Sequence, residues 1–253
     1  MMKPYIGITG FTKPDEVKFA LSLFPEAENR RLMVGVLVTY KSLRGIPMKP
    51  KWEKKTPSPE TISSLFFDDK RVVNLVHFST EEGQESSVLT DILKVHELAG
   101  ANFHGFQLNL VWPEARVLEQ YRERMGYSYR IVLQIGRKAI EAAGGSPLGV
   151  VDKLSRYVHL INDILFDTSG GRGEPFDVEH ARQFLSAIKE QAWPIGLGVA
   201  GGLPDSLPLL ESLIAEFPDL NIDAEGRLRD ENNEMDVGRL KEYLIRSLQL
   251  FSG

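Results

Sequence analysis

The chain has 253 residues, no cysteine, and a formal net charge of -5 from 30 Lys and Arg against 35 Asp and Glu. The missing thiols exclude disulfides, thiolate metal sites and cysteine nucleophiles together. The acidic balance argues against a general nucleic-acid binder, whose phosphate contacts need a basic face. A hydrophobic fraction of 42% and a charged fraction of 26% belong to an ordinary globular protein, and this length suffices to bury a substantial core.

The opening "MMKPYIGITGFTKPDEVKFA" carries charges and prolines where a secretory leader needs an apolar run. Apolar stretches such as "LMVGVLV" are too short to span a bilayer. The expectation is a soluble cytoplasmic protein with no membrane partner. The sequence carries no signal for oligomeric state.

Along the chain, a short β-rich apolar run is followed by a polar or glycine-bearing loop and then by an amphipathic stretch. "YIGITGF" precedes "KPDEVKFALSLF", in which Val17, Ala20, Leu21 and Phe24 fall at helical spacing. "RLMVGVLVTY", a long loop and "SPETISSLFF" come next. "RVVNLVHFS" then precedes "SSVLTDILKVHELAG", whose Val88, Ile92, Val95 and Leu98 or Ala99 make one helical face. "FHGFQLNLV" precedes "PEARVLEQYRERMG", and "RIVLQIG" precedes a helical region from about Ala139 to Tyr157. "VHLINDILFDTS" precedes "DVEHARQFLSAIKEQ", "WPIGLGVAGG" precedes "SLPLLESLIAEFP", and "LNIDAEG" precedes "DVGRLKEYLIRSLQLF".

These are eight β-then-α units of roughly 30 residues, the size of a βαβ building block. Strands alternating with helices imply a parallel sheet. The count of eight points to a closed (β/α)8 TIM barrel in a single domain over 1–253, with a long basic loop at about 39–58. A doubly wound open sheet is the competing arrangement, and it gives no reason for eight units.

In such barrels the functional face is formed by the βα loops at the C-terminal strand ends. Asp167 and Asp223 end strands there, and a carboxylate partly shielded from water can serve as a general acid or base, or simply as a cap or ion-pair partner. Asp163, four residues earlier on the same strand as Asp167, reads as structural, near the middle or bottom of the barrel. Three glycine signals follow the last three strands: Gly170-Gly171-Arg172-Gly173, Gly201-Gly202 and Glu225-Gly226. Each alone fits a tight turn, and together they fit a phosphate or similar anion site. "GGRG" lacks the ending of a P-loop.

The loop "TYKSLRGIPMKPKWEKKTPSPET" sets Lys41, Arg44, Lys49, Lys51, Lys54 and Lys55 against two acids, Glu53 and Glu60, with Trp52 among them. It reads either as a solvated basic loop or as a lid recruiting an anionic substrate, with Arg44 as a bidentate carboxylate clamp. The five histidines are dispersed, and only His77 ends a strand. Neither a metal nor an organic cofactor is expected.

"ILFDTSGGRGEPFD" followed by "VAGGL" resembles the phosphoribosylanthranilate isomerase family, tryptophan-pathway enzymes of (β/α)8 fold, whose strand-six segment reads LLLD, a GGxG turn and an FDW-like element. "IGITGFTKPDEV" resembles that family's CGIT opening, "GVLVTYKSLR" its second strand with an SPR element, "QLNL" its QLHG and "NIDAEG" its VDVSSG. The resemblance runs in order through nearly the whole chain.

It implies an Amadori rearrangement of a phosphorylated aminoaldose. Asp167 would be the acid that protonates the ring oxygen. Arg44 would hold an aromatic carboxylate, and Asn109 stands at the family's histidine position as a substrate contact. Asp223 would touch a hydroxyl, and the backbone around Gly171, Gly173, Gly201, Gly202 and Gly226 would hold the phosphate. The family's base is the cysteine of CGIT, and Ile6 stands in its place. With no acid on strand one, His77 or Asp223 is the candidate base. Ala224-Glu225 replaces a serine pair, so Glu225 must turn outward or be compensated by Arg227 for a phosphate to bind.

Two other readings stay open: a ligand-binding or regulatory barrel without catalysis, and a lyase or aldolase acting on a carboxylate. No strand end carries a lysine placed for a Schiff base. The expected partner is a small phosphorylated or carboxylated metabolite.

Overall fold

The computed structural model describes residues 2–26, 29–167 and 176–252. Eight parallel strands close into a barrel in chain order: β1 (Tyr5–Thr9), β2 (Arg31–Thr39), β3 (Val72–Ser79), β4 (Gly105–Asn109), β5 (Arg130–Gly136), β6 (Asp163–Asp167), β7 (Gly198–Ala200) and β8 (Asn221–Ala224). β8 pairs with β1 through Ile6 opposite Ile222 and Gly7 opposite Asp223, so no sheet edge remains.

Strand alternation separates two apolar layers. Outward residues such as Ile6, Ile8, Val34, Val36, Val76 and Phe78 join the layer beneath the helices. Inward residues Tyr5, Met33, Val73, Leu75, Val132 and Leu165 fill the lumen. Burying each such side chain contributes about 1.5–3 kcal/mol, which is what makes the inward and outward parities hard to exchange.

The helices are α1 (Pro14–Leu23), α2 (Pro50–Glu53), α3 (Val88–Ala99), α4 (Ala115–Met125), α5 (Arg137–Ala142), α6 (Pro147–Leu154), α7 (Val178–Lys189), α8 (Leu203–Ser206), α9 (Glu211–Glu216) and α10 (Val237–Phe251). Ala99 rather than Leu98 completes the buried face of α3. Three helical expectations change. "SLPLLESLIAEFP" begins as a 3-10 helix, Leu207–Leu210, before α9. "SPETISSLFF" forms a 3-10 helix, Pro59–Leu65, that buries Pro59, Ile62 and Leu65. The region from Ala139 to Tyr157 is broken by Gly144 and Gly145, both left-handed at φ 79° and 71°, and restarts where Ser146 Oγ accepts from Gly149 N at 3.2 Å, with Pro147 at the first turn.

The lower lumen is plugged by polar groups that satisfy one another. Arg130 donates to both oxygens of Asp163 at 2.7 Å each, Asn221 Nδ2 donates to Asp163 Oδ1 at 3.0 Å, and Tyr5 N donates to Asn221 Oδ1 at 2.9 Å. Asp163 is therefore structural, as its sequence position suggested. A Cβ on Gly196 would lie 2.1 Å from Asp163 Oδ1, so the plug requires glycine there.

Candidate active site at the barrel mouth

The inward parity that places Tyr5 in the plug places Gly7 and Thr9 above it on β1. Ile6, at the position where the resemblance expects a base, points into the outer apolar layer. The lumen wall has no side chain at Gly7, where a Cβ would stand 2.7 Å from Met33 Cε and 2.8 Å from Asp223 Oδ1. Asp223 thus occupies space that the missing side chain leaves.

Asp223 is 4% exposed. Its Oδ2 accepts from Thr9 Oγ1 at 2.8 Å and from Gln107 Nε2 at 3.0 Å, while its Oδ1 is buried without a partner. Burial pushes the carboxyl up to about 7. The bonds from Gln107 and Thr9 oppose that rise, and the negative charges of Glu225 and Asp167 add to it.

Asp167 lies at the same level. It pairs in register with Ala200, which pairs with Asp223. Two strand spacings, roughly 9–10 Å, separate the two backbones. Gln134 Nε2 donates to Asp167 Oδ2 at 2.9 Å.

On the opposite wall, Gln107 Nε2 lies 3.0 Å from His77 Nδ1. Burial lowers the His77 pKa; Glu225 and Asp167 counteract this, and Lys55 reinforces it. Two further buried acceptors, Gln107 Oε1 and Gln134 Oε1, are unpartnered. The mouth therefore combines two carboxyls, a neutral imidazole and unfilled acceptor positions.

The basic loop reaches this mouth through Lys55, named in the sequence only as one of the six cations of that loop. Its ammonium forms a close ion pair with Glu225 and lies 3.9 Å from the centre of the Trp52 ring. Because β1 stands between β2 and β8, the loop after β2 crosses the end of β1 to make this contact. Glu225 is thus compensated by Lys55, while Arg227 pairs with Asp205 at 3.3 Å.

Arg44 lies elsewhere. Its guanidinium engages both oxygens of Asp91 on α3 at 2.7 and 3.1 Å and stacks 3.8 Å above the Tyr40 ring, which staples the loop to the outside of the barrel. Asn109 is exposed at the end of β4.

Of the proposed anion-binding glycines, Gly201 and Gly202 have φ of 96° and 68°. Gly226 opens a 3-10 turn with open space where its Cβ would be. Gly171 and Gly173 lie outside the described residues. Among the described residues, no cluster of three or more His, Cys, Asp or Glu is arranged to hold a metal ion, and no helix is long and apolar enough to cross a membrane.

Thr9, Gln107 and Gln134 were not singled out from the sequence. Their signal is parity: each is a polar residue inside an apolar strand, an even number of residues from a neighbour that faces the lumen.

No protein-family model matches the chain, and no curated protein matches it in sequence. Solved structures do match its shape. TrpF from Jonesia denitrificans is 15% identical with a TM-score of 0.59, covering 98% of each chain. Monomers generated from the dimeric phosphoribosylanthranilate isomerase of Thermotoga maritima are 16% identical with a TM-score of 0.60, over 96% of this chain and 98% of that one. An aldolase, QR15, is 12% identical with a TM-score of 0.54 over 96% of each chain. At these identities the likeness is one of fold: the chain is a (β/α)8 barrel of the shape that phosphoribosylanthranilate isomerases share.

Proposed function

We propose that the barrel isomerises a small phosphorylated sugar derivative by general acid–base chemistry, an aldose–ketose rearrangement of Amadori type. The observation that carries this reading is the Asp167–Asp223 pair across Ala200, with Asp223 held near 7. A proton-transfer group works best when its pKa lies near the operating pH.

In the reaction, Asp167 gives its proton to the ring oxygen of the aminoaldose, and the ring carbon–oxygen bond breaks to leave an iminium. Asp223 takes the C2 proton, and the electron pair released forms the enol–enamine. Tautomerisation of that species yields the aminoketose. Asp223 thus takes the base role for which Ile6 is unsuited. The phosphate is assigned to the backbone at Gly201, Gly202 and Gly226, with Lys55 supplying positive charge against Glu225.

The test follows the fluorescence of phosphoribosyl anthranilate with wild type, Asp167→Asn and Asp223→Asn. The expected result is signal loss with wild type and a rate reduced by about 10²–10⁴ in each variant, the usual contribution of a positioned acid or base. No turnover beside an active control isomerase would reject the reaction. Full activity of Asp223→Asn would move the base elsewhere.

A second reading takes a carboxylate substrate in a lyase or aldolase reaction. It is favoured by Lys55 already holding a carboxylate, that of Glu225. It predicts that inorganic phosphate does not compete with substrate.

A further inference from the structure

Gln107 spans the lumen. It lies on β4, opposite β8, and its side-chain nitrogen meets Asp223 Oδ2 and His77 Nδ1, both at 3.0 Å. In the ionised form that serves as base, Asp223 accepts only, so the amide then turns its nitrogen toward it. That nitrogen carries two hydrogens, and the second is directed at His77. An imidazole nitrogen that receives a hydrogen bond carries no proton of its own, so Nδ1 is the acceptor and the ring proton resides on Nε2.

The ring is held in register beside Gln107 by the β3–β4 pairing, His77 opposite Gln107. No described residue bonds Nε2. The charged groups that act on this ring are those of the mouth: Glu225 after β8, Asp167 on β6 and Lys55 from the basic loop, with Asp223 reached through the amide. The residue that fixes one end of the candidate base therefore also fixes the tautomer of the facing histidine.

We infer that Gln107 is a positioning residue that holds His77 as a neutral imidazole with its Nε2–H turned to the substrate, so that His77 donates a hydrogen bond to a carbonyl or hydroxyl oxygen of the ligand. This rests on the isomerase reading for the step in which the donor acts, the tautomerisation of the enol–enamine, where the C2 oxygen gains negative charge as its hydroxyl proton leaves and C1 is protonated. A neutral donor suits that step, since it polarises the oxygen without adding a mobile proton that would compete with Asp167. The unpartnered Gln107 Oε1 and Gln134 Oε1 then accept from ligand hydroxyls on the same wall.

The test is a long-range ¹H–¹⁵N correlation spectrum of the histidine rings in the full chain at pH 7.5, with His77 assigned by its absence in His77→Gln. The expected spectrum has one neutral tautomer, with Nε2 protonated and Nδ1 bare. Gln107→Met keeps the side-chain length but removes both donors, and there the ring is expected to become a mixture of tautomers. In turnover, Gln107→Met and His77→Gln are each expected to lower kcat by about 10–100-fold with little change in KM.

A wild-type ring protonated on Nδ1, or charged on both nitrogens, would overturn the assignment, because the amide would then present its oxygen. An unchanged single tautomer in Gln107→Met would also overturn it. The spectrum does not depend on turnover, so absence of isomerisation with a clean Nε2–H tautomer would reject the reaction and leave the positioning role standing.

Discussion

Asp167 and Asp223 stand on either side of Ala200 at one level of the barrel, each paired in register with that alanine. The small side chain between them leaves the space that two carboxyls need to face one ligand. Their charges reach each other, since Asp167 contributes to raising Asp223. The surroundings differ: Asp223 is bound by Thr9 and Gln107, and Asp167 by Gln134. Two like groups in unlike settings are the arrangement from which separate acid and base roles arise.

The base role gives a signed pH prediction. Asp223 accepts a proton only when ionised, so kcat/KM is expected to rise with pH through a midpoint near 7, the value to which burial raises it in the free protein. The profile of Asp223→Asn is expected to lose that limb along with most of its rate. A wild-type profile flat between pH 5.5 and 8.5, under conditions where chemistry limits turnover, would contradict the assignment.

Stability is expected to move the opposite way. The folded Asp223 keeps its proton up to about 7, whereas an unfolded aspartate releases it near 3.9. Between these values the folded state binds more protons, so unfolding free energy falls as pH rises. The loss is about 2–4 kcal/mol across that window, at about 1.4 kcal/mol per unit. Urea unfolding of wild type and Asp223→Asn at pH 5 and pH 8 measures it. The variant is expected to lack this component and to gain on wild type as pH rises; an equal pH dependence in both would show that Asp223 does not carry it.

The Arg130–Asp163 pair offers a purely structural contrast. Both side chains are nearly inaccessible, at 3% and 4% exposure, and removing one partner leaves the other charge buried. Asp163→Asn is expected to lower stability by about 3–5 kcal/mol. Where the variant still folds, its kcat is expected to stay within a few-fold of wild type, because the plug lies below the candidate site. A variant as stable as wild type would mean that the plug tolerates an unpaired guanidinium.

The barrel was legible because eight apolar runs alternate with amphipathic ones, and strand ends can be counted from them. Asp167 and Asp223 follow from that count. What the counting omitted was parity. Reading inward and outward faces from Tyr5 would have turned Ile6 away from the lumen and brought Thr9 into it, and the same rule selects Gln107 and Gln134. Lys55 is a different matter. It lies in a loop whose path no periodicity describes, so its contact with a residue 170 positions away is a product of closure. Arg44, in the same loop, meets Asp91 instead because the 3-10 turn Ser42–Arg44 sets it against α3.

The Lys55–Glu225 contact makes the anion question testable. Glu225 precedes Gly226 and is ion-paired with Lys55 of the basic loop, so it is an internal competitor for any phosphate that Lys55 attracts. Replacing Glu225 by Gln removes a negative charge next to the glycine backbone and frees the ammonium. Two charges several ångströms apart near a protein surface interact by a few kcal/mol before screening, and with Glu225 partly exposed a change of about tenfold is reasonable. Inorganic phosphate is therefore expected to bind Glu225→Gln about tenfold more tightly than wild type, measured by calorimetry at low salt. Lys55→Met is expected to weaken it by a similar factor, because Glu225 then stands uncompensated. Both shifts should shrink as salt rises. If neither variant moves the affinity, the anion does not sit between Lys55 and Gly226, and the glycine assignment at β8 falls with it.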